Sequence, residues 1–172
     1  MRLSGTAGVI FLVLLAPSAA SAQEDRVVPV VSGFSLSDHV FTVGPAPTPR
    51  SAQQPTGRPE GTTMRYTLSE SSSVFFGIQR WRLGLLRGGR CQPVTRAKGH
   101  RLRRRHPGRR CIALKPIAIF TRNGVAGANS FFFSGRVGTH ALRPGRFDVG
   151  MDAIDAAGNS SSSRTLSFRV VR

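Results

Sequence analysis

The chain has 172 residues and carries 25 Lys and Arg against 8 Asp and Glu, a net charge of +17. That length suits a single domain with a real core, and the few, scattered carboxylates argue against a glycosidase acid pair. Lys98 and Lys115 are the only lysines, so the basic character is almost wholly arginine, part of which a GC-rich genome would supply by codon bias.

The N-terminus is organised for export. Arg2 forms a positive n-region, Val9 to Ala16 is wholly apolar, and Ala20-Ser21-Ala22 offers the small residues a signal peptidase needs. A spanning helix needs ~20 apolar residues, more than this run provides. No Cys follows the run to accept lipid. The expectation is cleavage of a 1–22 signal peptide, leaving residues 23–172 as one exported domain, extracellular or held in the cell envelope, with no further membrane span.

Beyond that point apolar residues alternate with polar ones, the period of half-buried strands. Phe34 and Leu36 begin the series, followed by Val40, Phe41 and Val43. A Pro-rich polar stretch, residues 44–61, reads as a surface loop. Met64, Tyr66 and Leu68 form the next strand, and Val74, Phe76 and Ile78 another, across a polar turn at Glu70-Ser71-Ser72. Ile112 and Leu114 lead to Pro116, which must sit at an edge or bulge because it cannot donate to a ladder. Ile117 and Ile119 resume the alternation. Phe131 with Phe133, then Phe147, Val149 and Met151, then Leu166, Phe168 and Val170 complete the apolar stripes. Asn123-Gly124, Pro144-Gly145 and Gly158-Asn159 separate them as turn formers. No helical periodicity persists after the signal. The pattern predicts an all-β, antiparallel immunoglobulin-like or fibronectin-III-like β-sandwich of seven or eight strands, with a barrel as the alternative. Phe76, Phe133, Phe147 and Phe168 should point inward.

Leu142-Arg143-Pro144-Gly145-Arg146-Phe147, followed by Ala153-Ile154-Asp155-Ala156-Ala157-Gly158-Asn159-Ser160, resembles the closing hairpin of bacterial immunoglobulin-like modules. Asn129 to Arg136 is similar to the strand that precedes it in secreted actinobacterial proteins. The likeness covers the C-terminal third and implies a fold, not an activity. The chain departs from antibody-type domains: Cys91 and Cys111 flank a loop instead of joining facing sheets, and Trp81 lies at a strand end.

In an exported chain Cys91 and Cys111 are expected to form a disulfide. Without C-x-x-C spacing they lack the remaining ligands for zinc, although His100 and His106 lie between them. Asp148, Asp152, Asp155 and Asn159 could offer oxygens to calcium. The alternative is that Asp148 and Asp152 face solvent, Asp155 bonds turn amides and Asn159 takes a left-handed position beside Gly158. No H-E-x-x-H, G-x-S-x-G, Walker lysine loop or C-x-x-C is present, and the four histidines are scattered. Neither an enzyme nor a cofactor is expected.

The remaining feature is basic. Residues 80–110 contain no acid, and a disulfide-closed loop over 84–110 concentrates Arg101, Arg103, Arg104, Arg105, Arg109 and Arg110. Such a run repels itself and belongs in solvent. Guanidinium forks match phosphate and carboxylate, so the expected partners are envelope polyanions: teichoic or lipid phosphate, acidic polysaccharide or shed DNA. Sequence-specific nucleic-acid recognition is not expected, because the arginine cluster has no aromatic residue to stack bases. Two functions therefore stand: an exported non-catalytic module with a structural or binding role, and a basic envelope protein that holds anionic polymers.

Overall fold

The computed structural model describes residues 26–45, 59–95 and 110–172. The predicted signal, most of the Pro-rich stretch, and Arg101, Arg103, Arg104, Arg105 and Arg109 lie outside them. The described residues are all-β and contain no helix, hence none long and apolar enough to cross a membrane. Eleven strands follow in order: β1 (Val31–Leu36), β2 (Val40–Thr42), β3 (Thr62–Leu68), β4 (Ser72–Arg87), β5 (Arg90–Pro93), β6 (Arg110–Gly124), β7 (Gly127–Phe133), β8 (Arg136–Val137), β9 (His140–Ala141), β10 (Gly145–Ile154) and β11 (Arg164–Val171).

They form a three-stranded antiparallel sheet, β1-β3-β7, and a larger mixed sheet. In the larger sheet β2 runs parallel to β11, and β11, β10, β4 and β6 follow antiparallel. The pair β8-β9 stands apart, and no ladder closes the two main sheets into a barrel among the described residues. Period-two alternation brings the two inner faces together. Met64, Tyr66, Leu68, Phe131 and Phe133 of the smaller sheet meet Val74, Phe76, Ile78, Phe147, Val149, Met151 and Phe168 of the larger in one core. Phe76 lies within 5.0 Å of Phe131 and 5.8 Å of Tyr66, so aromatic contacts span the gap between sheets. All four phenylalanines expected inside are buried.

Among the described residues eleven strands, one of them paired in parallel, replace the seven or eight antiparallel strands expected, because short edge pieces such as β2, β5, β8 and β9 leave little alternation to read, and three further expectations change. First, β4 does not end near Ile78 but continues through Trp81 to Arg87, so Trp81 is mid-strand and the basic excursion begins later than residue 84. Gly88 and Gly89, both at positive φ, close a two-residue hairpin from β4 to β5. Both central residues of that turn type need φ > 0, which glycine alone takes without steric cost. Second, Ile112, Leu114, Ile117 and Ile119 face solvent, while Ala113 is buried and Phe120 half-buried on the other side. Pro116 does sit at a bulge: Ile78 pairs with Ala118 and Gln79 with Pro116, leaving Ile117 as the extra residue of an edge strand. Third, among the described residues the left-handed turn positions are held by glycines alone. Gly158, not Asn159, takes φ +90° in the last hairpin, and Gly127, the first residue of β7, does so instead of Gly124.

Asp155 holds the last hairpin shut. Its Oδ1 accepts the Asn159 amide at 2.8 Å and its Oδ2 accepts Asn159 Nδ2 at 2.8 Å. Burial raises the carboxyl's pKa, but the hydrogen bonds from Asn159, Ala157 and Gly158 outweigh it and hold the group below its usual range. A depressed carboxyl stabilises the fold above its unfolded pKa and loses that contribution as pH falls through the folded value. Thermal melts on the acid side should therefore show a decline that Asp155→Ala lacks. An identical acid limb in both proteins would remove Asp155 from the account.

Candidate functional site

β10 flanks β4 only as far as the pairing of Phe147 with Arg80. At that end of the core Arg80 Nη2 donates to the Pro144 carbonyl at 2.7 Å, and the guanidinium lies 5.4 Å from the Phe147 ring centroid. Burial, then the charges of Arg82 and Arg143, lower its pKa. Beyond this cap β4 and β6 run on together as a ribbon, and β5 takes the edge that β10 vacates.

The disulfide joins the two flanking strands across β4. Cys91 of β5 pairs with Leu86, and Cys111 of β6 pairs with Gly84, on opposite edges of the same strand. In a flat sheet two strands separated by a third stand about 9.5 Å apart. Here the cysteine Cα atoms are 5.8 Å apart, so the tip is curled around β4. The sulfurs lie over Gly84, where a Cβ would come within 2.5 Å of Cys91 Sγ and 3.0 Å of Cys111 Sγ. Glycine is the residue that leaves room for this crossing.

The chain leaves the tip past Pro93 and returns at Arg110, so the segment carrying Arg101, Arg103, Arg104, Arg105 and Arg109 departs from and rejoins two strands that the disulfide ties together. Arg82, Arg87, Arg90, Arg110 and Lys115 are exposed on the described part of the tip. No Asp or Glu occurs anywhere from residue 71 to residue 147, so the ribbon has no carboxylate of its own to neutralise them. β5 is a strand where a solvated loop was expected. Its signal was present: a Gly-Gly pair between Leu85-Leu86 and Cys91 is a hairpin pattern that arginine density obscured.

The other candidates separate. His39 Nδ1 lies 2.9 Å from the Ser167 backbone oxygen, while Ser167 Oγ donates to Asp148 Oδ1 at 2.7 Å. A nucleophile triad needs the imidazole between hydroxyl and carboxylate. Here the hydroxyl bonds the carboxylate directly and the imidazole bonds the main chain, so the three residues do not form one. Asp148 and Asp152 lie half-buried on the outer face of β10, as the strand period requires, and Asp155 is committed to its turn. Among the described residues no group of three or more His, Cys, Asp or Glu is placed to hold a metal. A shallow groove of about 270 Å³ is lined by His39, Val40, Trp81, Arg146, Ser167, Phe168 and Arg169, with the Arg146 guanidinium 5.8 Å from the Trp81 centroid.

Compared with known proteins, the chain matches no family model and no curated protein sequence.

Proposed function

We propose that this chain is an exported, non-catalytic immunoglobulin-like module that binds anionic polymers through the arginine-rich segment mounted on its tip. The observation that carries this reading is the tip itself. An acid-free ribbon is curled and cross-linked at Cys91–Cys111, and the densest arginine run in the sequence is inserted between those two cysteines. Tethering both ends of that run reduces the ordering entropy lost when a partner binds. The immunoglobulin-like part of the reading is supported by the last hairpin: Pro144-Gly145 opens β10, Asp155 to Asn159 form its turn, and β11 follows as the final strand. Export is supported by the N-terminal signal pattern together with a disulfide, which persists in oxidising compartments.

The test is the salt dependence of binding to duplex DNA, used as a regular polyanion. Each phosphate contact contributes about 0.9 to the slope of log affinity against log salt, so removing three contacts should flatten it by roughly 3. The variant is Arg103→Ser, Arg104→Ser, Arg105→Ser. Its control removes Arg65, Arg143 and Arg169, which are exposed. Arg122, Arg136 and Arg164 are unsuitable controls, because they contact the Phe131 ring, the Gly44 carbonyl and the Val31 carbonyl. The slope should flatten in the first variant with an unchanged melting temperature. Equal flattening in the control would mean that binding follows net charge alone, as arginine codon bias predicts.

A further inference from the structure

We infer that the outer face of the β4–β6 ribbon is a membrane-docking surface that seats in the interface of an anionic lipid bilayer. This deepens the polyanion reading, on which its electrostatic part rests, by naming a lipid surface as the target. The bulge at Ile117 lets the strand present Ile112 and Leu114 before it, and Ile117 and Ile119 after it, to solvent. Their exposures are 51%, 49%, 42% and 74%. Scattered exposed apolar residues are ordinary, but a contiguous strip marks an interaction surface. The strip is widened by β4, where Trp81 pairs with Leu114 and Leu83 with Ile112, both half-buried. Beside Ile119 lies Gly77, which pairs with Gly150 on its other side, so neither neighbouring strand position shields the isoleucine. At ~3.3 Å per residue the run from Ile112 to Ile119 is about 23 Å long.

Charge selects the occupant. Arg87, Arg90 and Arg110 lie exposed at the tip and Arg146 lies over Trp81, with no acid on either strand. A second copy would bring two chains of net charge +17 together. Its strand would also meet Lys115, Pro116 and the bulge in the middle of the β6 edge, the features that discourage edge-to-edge pairing. An anionic bilayer has none of these difficulties. It accepts a flat aliphatic strip to a depth of ~5–10 Å without matching its shape, favours Trp at the headgroup level and draws basic residues to the rim.

Trp81 is the only tryptophan and lies in the strip, so it reports directly on the contact. The chain as its host releases it is floated with phosphatidylcholine vesicles with and without phosphatidylglycerol, at low salt and at about 1 M, where the Debye length is ~3 Å. The parent should float with phosphatidylglycerol vesicles, remain bound in high salt, and show a blue shift of Trp81 emission. Ile112→Ser, Leu114→Ser, Ile117→Ser, Ile119→Ser together should keep low-salt capture but lose about tenfold or more of the high-salt fraction. Ile119→Ser alone, at the most exposed position, gives a smaller loss in the same direction and guards against misfolding of the fourfold variant. The Arg103, Arg104, Arg105 variant should lose low-salt capture only, so failure of the arginine segment and failure of the strip are read separately. Release of the parent by salt with unmoved Trp81 emission overturns the proposal, as does a fourfold variant that floats like the parent. A parent that ignores vesicles but dimerises through the strip, or binds an acidic protein there, overturns it in favour of that occupant.

Discussion

Phe76→Ala and Phe133→Ala should each lower the free energy of unfolding by about 3–5 kcal/mol, as for other large-to-small changes in close-packed cores. Neither side chain has any exposed surface. Phe76 touches rings on both sides of the core: Phe120 at 5.2 Å on its own sheet, and Phe131 at 5.0 Å and Tyr66 at 5.8 Å on the other. Phe133 lies 6.2 Å from Phe41, 6.0 Å from Phe120 and 6.0 Å from Phe168. Each neighbour is fixed by its own strand, so the space left by alanine cannot close, and the cavity adds to the lost burial. A domain of this size has ~5–15 kcal/mol in total, so either change should lower the melting temperature by many degrees. Phe75→Ala is the comparison. Its side chain is on the outer face of β4 and only half-buried, and its cost should be well below that of its neighbour. Melts of Phe76→Ala that match Phe75→Ala would mean that the inward parity of β4 is misassigned.

That parity was legible because one face of each strand is wet and the other dry, and a shift of one residue would exchange them. Met64, Tyr66 and Leu68, or Phe147, Val149 and Met151, have no other consistent arrangement. β6 is deceptive for a physical reason. Alternation shows that two faces differ, but not which face is covered, and in β6 Ile112, Leu114, Ile117 and Ile119 lie outside while Ala113, Ala118 and the half-buried Phe120 lie inside. Proline at 116 pointed correctly to an edge with a bulge, yet the consequence for Ile117 depends on pairing with Gln79, which only the register reveals. The length of β4 was hidden in the same way. Arg80, Arg82 and Arg87 read as a solvated run, although β10, β5 and β6 supply backbone partners that no side-chain pattern encodes. Of the candidate site, the disulfide was legible from two cysteines in a chain whose first residues read as an export signal. The crossing over Gly84 was not, because it requires β5 and β6 to share one neighbour.

Gly84→Ala should damage the tip while leaving the core intact. A methyl group built there would stand 2.5 Å from Cys91 Sγ, 2.9 Å from the Gln92 carbonyl oxygen and 3.0 Å from Cys111 Sγ. None of these atoms can yield cheaply. The carbonyl is main chain, and each sulfur is bound to the other. Relief therefore requires β5 to move away from β4, or the cysteines to separate beyond the Cα spacing of ~4.4–6.8 Å that a disulfide tolerates. The expected result is a mixture of free thiols and displaced tips, read by thiol labelling and by faster hydrogen exchange at Leu85, Leu86 and Cys91. The chain-entropy model assigns ~3 kcal/mol to a cross-link spanning a loop of this order, here with a sequence separation of 20, which bounds the stability lost with the bridge. A double-mutant cycle isolates the cause. With Cys91→Ala and Cys111→Ala already made, the sulfurs are gone, and Gly84→Ala should cost less than in the parent by at least about 1 kcal/mol. The remaining cost belongs to the Gln92 carbonyl. The same variant bears on binding: opening the tip leaves every arginine in place but releases the constraint on the segment that carries them. Polyanion affinity should therefore weaken while its salt slope stays near the parent's, since the number of phosphate contacts is unchanged and only the entropy of making them has risen. Full labelling protection in Gly84→Ala, with parental affinity, would show that the curl around β4 does not depend on this glycine.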